Sequence, residues 1–220
     1  MPSTVVHVAL AGIVACALLG PAFSGRALLV VLAFTVLVDL DVFLGFVWLG
    51  AHRAAFHSLL FPALLGAVVY YDRAGSGPSR LRERFGGHAH RVGYVVVAAL
   101  VFGAIGPDLT TNGVNVFWPL HDQFYAFSGE IHISDQQGLV QTFVDFSNGE
   151  PAESVSRGST QETQYRTGVD TNPDRSGEPE VQERVFPVVD TGVQLLLVVT
   201  SVFLMASRLW EERTTQAQRE

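Results

Sequence analysis

Five long apolar segments are the feature that most constrains the fold of this 220-residue chain. They comprise residues 5–23, 27–50, 54–71, 92–109 and 185–207. A helix needs about 20 apolar residues to cross the roughly 30 Å hydrocarbon core of a bilayer. The pattern therefore predicts an all-α integral membrane bundle of about five transmembrane helices. Pro62 lies inside the third segment and predicts a kink there.

Composition agrees with a membrane protein and excludes several other classes. Only 16% of the residues are charged, against about 25% in average soluble proteins. The net charge of −7 provides no basic footprint for nucleic acid. A single cysteine, Cys16, excludes an intrachain disulfide and a cysteine-built zinc site. We therefore expect a multi-pass protein of the inner (plasma) membrane, with lipids as neighbours and no nucleic-acid partner.

The segments between the apolar runs differ in charge, which predicts the orientation. Residues 72–91 contain five arginines against two carboxylates, whereas residues 121–184 contain twelve acidic residues and four arginines. Short arginine-rich loops remain in the cytoplasm. This places the 72–91 loop and the C-terminal tail inside, and the N-terminus and the acidic segment outside.

Four regions follow from these patterns. Residues 1–120 form the predicted helical membrane domain, and residues 121–146, which hold β-like runs between turn residues, predict a small cap or hairpin. Residues 147–184 are polar and acidic with few apolar anchors, which is typical of a disordered linker. Residues 185–220 supply the fifth transmembrane helix and a cytoplasmic tail.

Ionisable side chains within or beside the apolar runs are the candidate functional residues, because each costs at least about 2.5–3.5 kcal/mol at the bilayer centre. The predicted spans place one group of them toward the same, outer side of the membrane. The group comprises His7, Asp39, Asp41, His52, Arg53, His57 and Asp108. Taken singly, each is also compatible with a cap, a turn or a packed polar residue. That simpler interpretation is favoured for Asp190, His88, His90, His121 and His132, and the sequence around His88 and His90 is most simply a solvated turn.

The side chains of the group are those of a metal site. Neutral imidazole and carboxylate are usual ligands of zinc and similar cations. The candidate ligands of one or two divalent ions, with zinc expected, are His7, Asp39, Asp41, His52, His57 and Asp108. Arg53 and Asp41 are the candidate catalytic residues. On a helix Arg53 would share a face with His57, and its guanidinium could bind a phosphate through two parallel hydrogen bonds.

The spacing of the two aspartates makes a further structural prediction. On a regular helix Asp39 and Asp41 would point about 200° apart. Both can face one site only if the second helix ends or unwinds near Leu40. Residues 42–50 would then form a short re-entrant or interfacial segment, which is tolerated where its backbone is buried in protein.

These motifs resemble a known family. They are the early His7, the string Asp39-Leu40-Asp41, the string His52-Arg53-Ala54-Ala55-Phe56-His57-Ser58, and Asp108 followed by Asn112-Gly113-Val114 and Phe117-Trp118-Pro119-Leu120. Over roughly the first 120 residues the chain resembles the membrane-bound metal-dependent hydrolases, also described as YdjM-like, LexA-binding inner-membrane hydrolases. The resemblance implies a helical membrane bundle in which the six candidate ligands hold metal, distantly similar to zinc-dependent phospholipases C. One position departs from the pattern, because Ala104 stands where the family usually has a histidine.

The predicted function is therefore a membrane-bound metal-dependent hydrolase that cleaves a phosphoester through a metal-activated water. Two alternatives stay open. The same residues could mark an ion path in a cation-binding, transporter-like protein, although the cytoplasmic halves of the spans are almost purely apolar. The chain could also be a non-catalytic membrane scaffold, an interpretation that Ala104 favours. The sequence identifies no protein partner.

Overall fold

The structure is a computed structural model, and it describes residues 3–48, 50–127, 129–142, 156–163, 165, 169 and 186–218. Within these residues the protein is mostly helical. The helices are α1 (Thr4–Leu18), α2 (Gly25–Asp39), α3 (Leu60–Ala74), α4 (Arg80–Phe85), α5 (Ala89–Ala99), α6 (Gly106–Leu109) and α7 (Gly192–Ala217). A 3₁₀ helix (Leu40–Phe46) extends α2, and a π-helical segment (Leu100–Ile105) joins α5 to α6.

Among the described residues, three continuous helical stretches are long and apolar enough to cross a membrane. They are Gly25–Phe46, Ala89–Leu109 and Gly192–Ala217, whereas the apolar helix α1 has only 15 residues. The all-α bundle is thus confirmed in its coarse form, with three candidate spans in place of five. The third predicted span is shorter than expected because α3 begins at Leu60. Pro62 lies in the first turn of α3, where proline is compatible with a helix, so the predicted kink inside a span was wrong.

Hydroxyl side chains fix where several helices begin. Ser24 Oγ accepts a hydrogen bond from the Ala27 backbone N–H at 3.1 Å at the start of α2. Thr191 Oγ1 accepts from the Gln194 N–H at 3.2 Å at the start of α7. The first N–H groups of a helix have no partner within it, and such caps stabilise helix starts by about 1 kcal/mol each.

Helix α1 packs against its neighbours through small residues. Gly12 faces α7, where Ser201 Oγ donates a 2.7 Å hydrogen bond to the Ala9 carbonyl. Gly103, in the π-helical segment, lies so close to α1 that an added Cβ would come 3.0 Å from the Ala11 nitrogen. Because Ala11 is one turn after His7, this close approach brings His7 to the helix that carries Asp108.

The bundle has two chemically different ends. Helices α1 and α7 run parallel, since Ser3 Oγ donates to the Val188 carbonyl (2.5 Å) and the Gly25 N–H donates to Glu212 (3.0 Å). We call the end with Ser3 and Asp108 the site end. The other end holds the 72–91 loop, and we call it the arginine-rich end. Between them lies a buried apolar core that includes Ala15, Val31, Val95 and Leu100.

Two further parts of the described chain lie outside the helices. Strands β1 (Ile131–Ser134) and β2 (Gly138–Gln141) form an antiparallel hairpin inside the region where the sequence suggested one. Residues 156–163 pair with the chain near Phe124, whose N–H donates to the Gly158 carbonyl at 2.8 Å. This described part of the linker that the sequence predicts to be disordered is therefore packed against the chain near Phe124. The rest of the expected linker, from residue 147 to residue 184, lies outside the described residues except for 165 and 169.

Candidate metal centre

One cluster at the site end contains all seven candidate residues of the sequence analysis. The helices and turns that contribute to it are the start of α1, the junction of α2 with the 3₁₀ helix, the turns at 51–59, and α6. Its members are His7, Asp39, Asp41, His52, Arg53, His57 and Asp108. The side chains are buried, and Asp39 with 14% and His52 with 13% exposure are the most accessible.

The two aspartates reach the cluster because the helix changes type between them. Helix α2 ends at Asp39 and the 3₁₀ helix begins at Leu40, as the spacing predicted, so this expectation is confirmed. As a result Asp39 Oδ1 lies 3.2 Å from His7 Nδ1, while Asp41 Oδ1 lies 2.7 Å from His52 Nδ1. The altered helical twist turns both carboxylates to one side.

Asp41 is fully buried, and hydrogen bonds occupy both of its oxygens. Oδ1 pairs with His52 Nδ1 at 2.7 Å, and Oδ2 pairs with His57 Nδ1 at 2.8 Å and accepts the Arg53 backbone N–H at 3.1 Å. A carboxylate that accepts the Nδ1–H of a histidine leaves the lone pair on Nε2, the arrangement common behind metal-ligating histidines. The geometry therefore favours a positioning role for Asp41 over the ligand role expected from the sequence.

His7, His57 and Asp108 form the group that can hold a metal ion. One potential ligand atom from each lies within 4.8 Å of the other two. His7 Nε2 is 3.4 Å from Asp108 Oδ1, and His57 Nε2 is 3.3 Å from Asp108 Oδ2, yet both nitrogens are buried without a hydrogen-bond partner among the described residues. Asp39 Oδ1 lies 3.4 Å from His57 Nε2, beside this group of three.

Spacing and charge both fit a divalent cation. Nitrogen and oxygen ligands about 2.0–2.1 Å from a tetrahedral zinc are roughly 3.3–3.4 Å apart, and each of the two Nε2 atoms lies at such a distance from one oxygen of Asp108. With neutral imidazoles, the three carboxylates and the Arg53 guanidinium carry a net charge of −2. Buried charge is costly unless it is compensated, and one divalent cation would neutralise the cluster.

Arg53 adopts an uncommon backbone conformation, with φ of +64°. A residue in the left-handed region interrupts a right-handed helix, so the sequence-based expectation of a shared helical face with His57 was wrong. The conformation lets the Arg53 N–H reach Asp41 while Nη2 donates to Asp108 Oδ1 at 2.7 Å. The Nε and Nη1 donors are buried without a partner in the described part of the chain. Such strain is common where a site requires it.

The structure adds residues that the sequence analysis missed. The Tyr165 ring lies 4.8 Å from the Arg53 guanidinium carbon, and its hydroxyl donates to the Asn112 carbonyl at 2.6 Å. Burial raises the pKa of Tyr165, so its hydroxyl remains a neutral donor. The Asn115 N–H donates to the Arg53 carbonyl at 2.9 Å. No sequence signal connects Tyr165 with Arg53. Tyr165 lies in the acidic stretch, whereas Arg53 lies in a turn much earlier in the chain.

The remaining histidines lie outside this cluster. His121 Nε2 is 2.8 Å from the Tyr125 hydroxyl, and His132 is an exposed residue of β1. The interpretation of His90 as part of a solvated turn was wrong. His90 is 6% exposed, and its Nε2 lies 2.7 Å from Asp72, which is 18 residues earlier in the chain. Ala104 is fully buried in the apolar core.

Comparison with known proteins places the chain in a family. The family model of the YdjM inner membrane protein matches residues 1–163, which include every residue of the cluster. No curated protein and no solved structure shows significant similarity to the chain. Together with the three apolar helices, the match confirms the expected location in the inner membrane. The chain therefore belongs to the YdjM family of inner membrane proteins.

Proposed function

We propose that this protein is a membrane-bound metal-dependent hydrolase that cleaves a phosphoester. The observation that carries the proposal is the pair of imidazole nitrogens His7 Nε2 and His57 Nε2. They lie 3.4 and 3.3 Å from the oxygens of Asp108, without a hydrogen bond among the described residues, in a buried cluster of net negative charge. Buried polar atoms almost always have partners, so two orphaned atoms that face one carboxylate favour a ligand between them.

The chain offers four ligands for one divalent cation, with zinc proposed. His7 and His57 would bind through Nε2, and Asp39 and Asp108 through carboxylate oxygens. A bound cation of this kind activates water as a nucleophile near neutral pH and neutralises charge on a phosphoryl oxygen. Asp39 is 14% exposed whereas the other three are at most 2% exposed, so substrate would reach the centre from the side of Asp39.

Arg53 is the residue proposed to bind the phosphoryl group. Its Nη2 is held by Asp108, which fixes the plane of the guanidinium, and its Nε and Nη1 donors remain available. Charged N–H donors of this kind form strong hydrogen bonds to phosphate oxygens. Donors that are fixed before the reaction stabilise charge that develops in the transition state. Asp41 and Asn115 hold the Arg53 backbone in the required conformation.

The surroundings of the site favour a substrate from the membrane. The 3₁₀ helix that follows Asp39 exposes Phe43 (49%) and Phe46 (54%), and Val47 beyond it is 89% exposed. Large exposed apolar side chains beside a polar site are suited to a lipid-facing position. A phospholipid or another membrane-soluble phosphoester is therefore the proposed substrate class.

The two alternatives receive less support. A continuous ion path would need polar groups through the bundle, whereas buried apolar residues such as Ala15 and Leu100 separate the two ends. A scaffold has no need for orphaned imidazoles in a buried, charged cluster. Ala104 removes one imidazole relative to the family pattern, but four candidate ligands remain, and zinc can add a water as a fifth ligand.

Metal content and hydrolysis test the proposal on the full chain purified in detergent. We expect one zinc or similar ion per chain by mass spectrometry, and metal-dependent cleavage of bis(p-nitrophenyl) phosphate or short-chain phospholipids. The His57→Ala variant should lose both. The His121→Ala variant removes an exposed imidazole outside the cluster and should retain both. A folded wild-type protein without stoichiometric metal would refute the proposal and favour the scaffold.

A further inference from the structure

A second polar site lies at the arginine-rich end, at the opposite end of the bundle from the metal centre. A cavity of about 480 Å³ opens there where α1 ends, α5 begins and α3 and α4 meet. Its walls include Leu18, Arg73, Arg82, His90, Arg91 and Tyr94. The three arginines come from three different helices, the last turn of α3, α4 and the first turn of α5.

The positive charge of this cavity is not neutralised by the described protein. No carboxylate lines it, and none of the three arginines forms an ion pair within the described residues. The nearby Asp72 is engaged elsewhere, since it accepts from Ser79 Oγ, from the Arg80 N–H at 2.9 Å, and pairs with His90. Three exposed guanidinium groups that line one cavity repel one another, and a bound anion would relieve this repulsion.

Two of the lining side chains are held in place. Arg91 Nε donates to the Leu18 carbonyl at 2.9 Å, which closes the last turn of α1 and fixes the guanidinium beside Gly20. His90 is 6% exposed, and its Nδ1 is buried without a partner among the described residues.

We propose that this cavity binds a phosphate group, with an anionic phospholipid of the surrounding leaflet as its source. Arginine binds phosphate through paired N–H donors, and three arginines suit its several oxygens. The cavity lies at helix ends, where headgroups are found, and Leu18, Tyr94 and Val95 provide an apolar wall for glycerol and acyl carbons. By the charge rule this end faces the cytoplasm, whose leaflet carries anionic lipids. The proposal is independent of the hydrolase function.

Titration calorimetry on the full chain in detergent tests the proposal with three probes. Dihexanoyl phosphatidylglycerol presents an anionic phospholipid, dihexanoyl phosphatidylcholine a zwitterionic one, and glycerol 3-phosphate the phosphate without acyl chains. The Arg82→Gln variant removes a lining charge. The Arg84→Gln variant removes an equally exposed charge from the same helix outside the cavity.

We expect phosphatidylglycerol to bind more tightly than phosphatidylcholine. Arg82→Gln should weaken the binding of phosphatidylglycerol about fivefold, the contribution to affinity that is typical of one arginine near an anionic surface. Arg84→Gln should change it less than twofold. If glycerol 3-phosphate binds equally well with the same dependence on Arg82, the site holds and its ligand is a soluble phosphoester. Equal losses in both variants would show only diffuse surface charge and overturn the proposal, as would failure of all three probes to bind.

Discussion

Replacement of Asp41 tests whether this carboxylate positions a histidine or binds the metal directly. Asp41 accepts from His57 Nδ1, His52 Nδ1 and the Arg53 N–H. Asparagine retains one oxygen, and in its better orientation that oxygen keeps the bonds of Oδ2 to His57 and Arg53. Its NH₂ group then faces His52, which must change tautomer. The Asp41→Asn variant therefore keeps the His57 tautomer and loses mainly one negative charge behind the centre.

Leucine at the same position removes all three hydrogen bonds and leaves His57 free to change tautomer and to rotate. Loss of such outer partners typically lowers metal affinity 10- to 100-fold, roughly 1.4–2.7 kcal/mol of binding free energy. We expect Asp41→Asn near the lower limit and Asp41→Leu near the upper one. Asp108→Asn, which changes a direct ligand and also leaves Arg53 without its carboxylate, should lose more affinity than either.

Competition with a fluorescent chelator at pH 7.5 measures the zinc Kd of each variant in detergent. Thermal unfolding of the same samples serves as the control for folding, because Asp41 is fully buried. An Asp41→Asn protein that loses zinc as completely as Asp108→Asn would make Asp41 a ligand and refute the positioning role. A Kd within about threefold of wild type in both Asp41 variants would refute the link between this carboxylate and the metal.

Three further predictions concern other parts of the molecule. Arg53→Gln should retain the metal and lower kcat/KM for bis(p-nitrophenyl) phosphate about 10²- to 10³-fold, the effect typical of removing one transition-state donor. Unchanged kinetics would exclude Arg53 from phosphate binding. Gly103→Leu should force the π-helical segment away from Ala11, lower the Tm and abolish metal binding together; metal retained at wild-type affinity would contradict the packing argument. Hydrogen bonds from Ser79 and His90 lower the pKa of Asp72 from 3.8 to about 2. The ionised Asp72 carboxylate therefore stabilises the start of α4 fully above about pH 4, and this stabilisation is lost as the pH falls through about 2. Amide exchange at Arg80 should report this loss in the wild type and not in Asp72→Asn.

The sequence predicts what depends on local periodicity. The apolar runs indicate a helical membrane protein, and the 200° separation of Asp39 and Asp41 correctly requires a break near Leu40. Both inferences use only the geometry of one helix. The grouping of seven polar residues also follows from simple rules, because alternating span directions bring the ends of different helices to one side.

The features that sequence reasoning missed depend on distant contacts. The positive φ of Arg53 is stabilised by Asp41 and Asn115, so the string from His52 to Ser58 alone is compatible with a helix. The burial of His90 depends on its contact with Asp72. The placement of Tyr165 likewise depends on its contact with Arg53. Local composition could not reveal these pairs, because each partner is polar and looks solvated in its own sequence context.

Charge balance limits the number of ions that the cluster can hold. Three carboxylates and one guanidinium leave a net charge of −2, which one divalent cation cancels. A second cation would leave a net charge of +2 in a buried site, a more costly state than the one that it replaces. Asp41 offers no free oxygen for a second ion, since His52, His57 and Arg53 occupy both. Position 104 holds alanine where the resemblance implies a histidine, and the loss of one candidate ligand agrees with a site for one ion. We therefore expect one ion per chain, and a measured value of two would require ligands beyond this cluster.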